Sequence, residues 1–177
     1  MFYIEDYNFL SSEQKLYLEE SLRSEKMSFK LATSAAELND NGYHFINHIL
    51  ISEDRTKQQR YYKKNLEEVE VFSNILKTFC NKNHIELNNI FRIAVNITFN
   101  NGFVSKCPIH NDHLYDHKQV LLYLNDATGD TVICDDSNKP VIISSPQKYK
   151  AIAFSKQPHY HYFPSYGIRC VAVFTFN

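Results

Sequence analysis

The sequence predicts an α+β fold in which helices precede a jelly-roll-like antiparallel double sheet and pack on one of its outer faces. Three observations carry this expectation. Ser11 and Gln14 stand at capping-box spacing ahead of Leu16, Leu18 and Leu22. Apolar residues then recur at intervals of three and four between Arg55 and Lys82. After Asn89, six β-branched and aromatic runs follow one another, divided by Asn, Asp, Gly and Pro clusters.

The first helix is expected to run from Ser11 to about Lys26. Phe29 to Leu31 reads as a short strand, and Tyr43 to Ile51, alternating and β-branched, as a longer one. Tyr62, Leu66, Val69, Phe72, Leu76 and Phe79 share one face of a long helix. The strands expected beyond it are Ile90 to Phe99, Gln119 to Leu124, Thr131 to Cys134, Pro140 to Ser144, Tyr149 to Phe154 and Ile168 to Phe176. Helix and sheet bury their apolar surfaces only against each other, which favours one domain over residues 1–177, helix-rich over 1–89 and jelly-roll mainly over 90–177.

Composition narrows the function classes. Nineteen basic and twenty acidic side chains leave a net charge of -1, so no global field draws the chain to a polyanion. Arg55, Lys57, Arg60, Lys63 and Lys64 form a local basic stripe, the weak basis for a nucleic-acid partner, although a charged helical face is as a rule simply solvated. Glu5 and Asp6 interrupt the opening segment where a secretory signal needs basic and then apolar residues, and no apolar run reaches spanning length. A cytoplasmic protein without a membrane partner is expected. Cys80, Cys107, Cys134 and Cys170 lack CxxC spacing and are expected as buried, reduced thiols.

The candidate chemistry lies in Cys107-Pro-Ile-His-Asn-Asp-His113, where His110 and Asp112 stand two residues apart. At strand-like spacing both side chains point the same way. One imidazole nitrogen and one anionic oxygen, joined by a second histidine, make the two-histidine, one-carboxylate set that leaves three positions open on Fe(II). A structural zinc site would be closed. His159 and His161 share a face by alternation, and parity does not choose between them. His113 and His117, in the polar loop beyond, are expected at the surface or facing substrate. His44, His48 and His84 are expected to be structural. Asn96 and Thr98, whose polar groups must find partners if they project into the barrel, are candidates for contact with a cosubstrate or substrate.

Downstream come Leu121-Leu-Tyr-Leu-Asn125, Gly129-Asp-Thr-Val132, Pro158-His-Tyr-His161 and Gly167-Ile-Arg169, ahead of a final apolar strand. This ordered series, over roughly residues 90 to 177, resembles the prolyl-4-hydroxylase-like branch of the 2-oxoglutarate/Fe(II)-dependent oxygenases. The resemblance implies a double-stranded β-helix core and Fe(II) held by His110, Asp112 and a distal histidine. His159 lies ten residues before Arg169 and His161 eight, and the family spacing favours His159, with His161 as the alternative. Arg169 is then the partner of the remote carboxylate of 2-oxoglutarate, helped by the Tyr123 hydroxyl. An arginine fork gives a carboxylate two charge-assisted bonds where lysine gives a point charge.

The implied activity is hydroxylation with molecular oxygen, yielding succinate and CO2. The implied substrate is a peptide or protein residue, proline first, and otherwise a small metabolite or a nucleobase. The turn reads Gly129-Asp130 where two glycines are common in the family, and Phe99 stands where a tyrosine is frequent. Both departures bear on substrate, not on the metal. The competing classes are a cupin-like metal-binding protein and a metal-free binding module, and turnover of 2-oxoglutarate separates either from an oxygenase.

Overall fold

A computed structural model describes residues 1–24, 27–32, 44–53, 60–62, 66–100, 102 and 105–177. Its larger sheet holds β1 (Tyr3–Asp6), β2 (Lys30–Ala32), β3 (Phe45–Glu53), β4 (Arg60–Tyr62), β5 (Ile90–Phe99), β6 (Lys118–Tyr123), β9 (Ala151–Ser155) and β11 (Ile168–Phe176). Their order is β1-β9-β6-β11-β5-β3-β2, with β4 beside β3, and each pairing is antiparallel. A smaller sheet contains β7 (Thr131–Cys134), β8 (Pro140–Ser144) and β10 (His159–His161), in the order β10-β7-β8.

Alternation along the central strands gives the larger sheet two apolar faces. On one, Val120, Leu122, Cys170, Ala172, Phe174, Ile93 and Val95 share a core with residues from α1 (Ser12–Arg23) and α2 (Leu66–Lys82). Helix α2 supplies Phe72, Ile75, Leu76, Phe79 and Cys80 to it, the three-and-four spacing read from the sequence. On the opposite face Leu121, Tyr123, Ile152, Phe154, Val171 and Val173 meet Ile133 and Ile142 of the smaller sheet. That is the packing of two sheets face to face.

The first half departs from the helix-rich expectation, because β1 to β4 all lie within it. The helix expected from Arg55 is helical from Leu66, and Tyr62 instead pairs with Ile51 as part of β4. Two consecutive tyrosines favour a strand once the edge of β3 is there to pair with. Arg60 of the basic stripe is therefore in a strand, while Arg55, Lys57, Lys63 and Lys64 lie outside the described residues. Helix α1 carries the expected capping box: Gln14 N donates to Ser11 Oγ at 3.2 Å, and Ser11 N donates to Gln14 Oε1 at 3.0 Å. It ends at Arg23; Lys26 and Tyr43 lie outside the described residues. No described helix is long and apolar enough to cross a membrane.

Candidate active site

A cavity of about 270 Å³ opens between the sheets. His110, Asp112 and His159 stand at one end of it, and Thr131, His161 and Arg169 at the other. The backbone brings His110 and His159 together. His110 N donates to His159 O and His159 N to His110 O, both at 3.0 Å, so the two are directly opposed and their rings lie 4.6 Å apart between centroids. His159 Nε2 is 3.6 Å from Asp112 Oδ2. The other Asp112 oxygen, Oδ1, accepts a 2.9 Å bond from Arg92 Nη1.

Both histidines present the same nitrogen to the cavity end. His110 Nδ1 is 2.8 Å from Pro108 O and His159 Nδ1 is 3.0 Å from Gln157 O. A carbonyl only accepts, so Nδ1 carries the proton in the neutral ring and Nε2 keeps its lone pair. Gln119, fully buried on β6, reaches His159 Nδ1 at 3.4 Å. Its amide oxygen is the end compatible with a protonated Nδ1.

Burial, and after it His110, hold the His159 imidazole down to about 4, so the ring is neutral at pH 7. Burial acts to raise the Asp112 carboxyl, but Arg92, followed by His159 and His110, outweighs it and keeps the group well below the usual carboxylate range. The set is thus two imidazoles that turn Nε2 to the cavity and one ionised carboxylate, which is the donor chemistry that suits a non-haem Fe(II). Among the described residues no three His, Cys, Asp or Glu side chains form a ready-made metal cage. The match therefore rests on donor type and proximity.

The far end is built differently. Arg169 is 4% exposed, yet among the described residues it meets no acid. Its Nε donates to Gly129 O at 2.9 Å and its Nη2 to Thr131 Oγ1 at 2.8 Å. Tyr123 OH also donates to Thr131 Oγ1 at 2.8 Å, and the Arg169 guanidinium carbon lies 5.5 Å from the centre of the Tyr123 ring. Two accepted bonds occupy both lone pairs of Thr131 and leave its own O–H free to donate. Tyr123 does not line the cavity; Thr131 stands between. Gly129 takes φ +96°, and a β-carbon there would meet Tyr162 O at 2.5 Å, so only glycine lets this chain segment bring its carbonyl to Arg169.

His161 lies opposite Thr131 in the β10–β7 register, at the Arg169 end. Its Nδ1 is 3.3 Å from Cys107 Sγ, and burial followed by Arg169 pushes its imidazole well below the ordinary histidine range. The structure thus brings His110, Asp112 and His159 together and places His161 two residues along, towards Arg169.

No family model and no curated protein matches the chain by sequence. Solved structures match by fold. A 2OG-Fe(II) oxygenase family oxidoreductase from Burkholderia pseudomallei superposes with a TM-score of 0.76 over 99% of this chain and 84% of its own, at 15% identity. The chain has the fold of the 2-oxoglutarate/Fe(II)-dependent oxygenases. A Pseudomonas putida prolyl-4-hydroxylase matches with a TM-score of 0.62 at 13% identity, covering 99% of this chain and 92% of that one. A Trichoplax adhaerens prolyl hydroxylase, solved with a hypoxia-inducible-factor peptide, gives 0.61 at 16% identity over 98% and 82%.

Within this oxygenase fold, two sequence expectations need correction. His113 and His117 are buried, not at the surface, and of the two His113 lines the cavity. His113 Nε2 meets Thr175 Oγ1 at 2.7 Å and its Nδ1 meets Tyr115 OH at 2.9 Å, while His117 Nδ1 lies 2.9 Å from Tyr115 O. Tyr115 and Phe91 supply ring faces that make burial of these imidazoles favourable, a contact that loop polarity in the sequence does not show. His48, expected to be structural, is held between Ser28 O at 3.1 Å and Glu68 Oε2 at 3.0 Å. Arg92, Thr131 and Gln119 were not singled out from the sequence. An arginine inside the apolar run Phe91-Arg-Ile-Ala-Val95 was the available signal for the first.

Proposed function

We propose that the chain is an Fe(II)- and 2-oxoglutarate-dependent dioxygenase in which residues 1–177 act as one catalytic domain. The observation that carries this reading is the opposite polarity of the two cavity ends. His110 Nε2, His159 Nε2 and the Asp112 carboxylate are acceptors that suit a cation. Arg169 and Thr131 are donors that suit an anion. A 2-oxo acid with a second carboxylate joins the two.

In this reading His110, Asp112 and His159 hold the iron, and His161 does not. Arg169, with donors left after Gly129 and Thr131, takes the distal carboxylate together with the Thr131 hydroxyl. Tyr123 acts behind Thr131, fixing its oxygen so that its proton faces outward. Neutral His159 and His161 offer no competing positive charge to the metal. The buried aliphatic wall of Leu121, Val171 and Val173 excludes water from the same space. When bound, Fe(II) and 2-oxoglutarate supply the oxidising chemistry, with O2 consumed and succinate and CO2 released.

The substrate is a peptidyl residue, with proline first, as the prolyl hydroxylases of similar fold suggest. The test is succinate formation by iron-loaded protein with 2-oxoglutarate and O2 against proline-containing peptides, small metabolites and single-stranded nucleic acid. Stimulation by a peptide is expected. Stimulation only by metabolites or nucleic acid would replace the substrate assignment, and no succinate under any condition would remove the oxygenase reading.

A further inference from the structure

Arg92 lines the cavity beside Asp112. It lies on β5, directly opposite Thr175 of β11. The two cross-strand partners hold two consecutive residues of the same loop: Arg92 Nη1 donates to Asp112 Oδ1 at 2.9 Å, and Thr175 Oγ1 meets His113 Nε2 at 2.7 Å. One step of sheet register therefore fixes both the backbone course past Asp112 and the rotation of its carboxylate. A carboxylate terminus otherwise turns over a broad, two-fold torsion.

The Asp112 oxygens are also divided. Oδ1 faces the guanidinium and Oδ2 faces His159 Nε2, 3.6 Å away. This is not a solvated surface pair, since the Asp112 side chain is 7% exposed and that of Arg92 24%. We propose that Arg92 is a positioning residue that reserves Oδ1 and leaves Oδ2 as the single Asp112 oxygen offered to the metal beside His110 and His159. The inference rests on the reading of those three residues as metal ligands.

Arg92 does not touch the metal in this arrangement; it acts through Asp112. Removing it frees the carboxylate to rotate and to offer both oxygens, which lowers metal affinity and alters the ligand field together. Loss of an outer hydrogen-bond partner to a metal ligand typically costs about ten- to a hundredfold in affinity.

The test is a Co(II) titration of metal-depleted protein, followed by visible absorption. Arg92→Ala is expected to bind Co(II) at least about tenfold more weakly and with an altered visible band. Arg92→Lys, which restores one charged donor, should recover part of the affinity and move the band back. If Arg92→Ala does not fold, Arg92→Gln carries the measurement, with the same direction on both readouts. Affinity that is unchanged or tighter overturns the proposal, and so does weaker binding with an unaltered band, since Asp112 would then be oriented without Arg92. Failure of the unaltered chain to bind Co(II) would overturn the metal reading itself, and this inference with it.

Discussion

The two ends of the cavity lie between the same two sheets but present opposite chemistry. At the Arg169 end, donors exceed acceptors: a guanidinium and a phenol converge on one threonine oxygen and the threonine proton is left over. At the His110 end the groups facing the cavity are acceptors in kind, the Nε2 edges of two imidazoles and a carboxylate, with Arg92 beside that carboxylate. Buried polar groups are as a rule satisfied, so this contrast supports the proposed cation at one end and anion at the other. The difference teaches why the proposed site would take a cation and an anion at once.

The comparison breaks most completely at Asp112, which supplies the only carboxylate of the acceptor end among the described residues. Asp112→Ala should abolish Fe(II)-dependent succinate formation while circular dichroism shows the fold kept, because Arg92 is exposed enough to reach water once unpaired. Full turnover in that variant would mean that the acceptor end holds no iron. A smaller effect separates the two histidines. His159→Ala should weaken Fe(II) binding by at least about a hundredfold, more than loss of an outer partner does, whereas His161→Ala should alter it little. The reverse order in a metal titration would move the ligand role to the Arg169 end and erase the distinction between the ends.

At the donor end the expected losses are gentler. Arg169→Lys keeps the charge and loses the fork, and calorimetry should show 2-oxoglutarate binding weakened by about 1–3 kcal/mol with iron affinity hardly changed. Equal 2-oxoglutarate affinity in Arg169→Lys and Arg169→Ala, both unchanged, would leave this end without an anion. Gly129→Ala sharpens the same point through the backbone. Its added β-carbon clashes with Tyr162 O in a left-handed segment, which should cost about 1–3 kcal/mol in denaturant unfolding and displace the carbonyl that fixes Arg169 Nε. An alanine variant as stable as the unaltered chain would show that the turn yields.

Much of the sheet was legible because its signals are local. Ile90–Phe99, Thr131–Cys134, Pro140–Ser144 and Ile168–Phe176 are strands residue for residue as the alternation and bounding turn residues indicated. Strands β1, β4 and β10 were not, since each is only three or four residues long, and β1 and β10 exist through partners remote in sequence, as Tyr3 opposite Phe154 illustrates. The acceptor end was readable to the extent that His110 and Asp112 are neighbours in the chain. Parity leaves His159 and His161 on one face; the spacing to Arg169 favours His159, and the register adds that His159 lies opposite His110 while His161 lies opposite Thr131. Arg92 carries no motif and Thr131 only a place in the Gly129–Val132 turn; their meaning comes from what lies across the strand.

The central claim, that one cavity holds Fe(II) at one end and a 2-oxo acid carboxylate at the other, is tested most directly by an anaerobic visible titration. Fe(II)-loaded protein should develop a weak charge-transfer band when 2-oxoglutarate is added, and Arg169→Ala should need more 2-oxoglutarate to reach the same band. A folded, iron-loaded chain that shows no band at any 2-oxoglutarate concentration would contradict it.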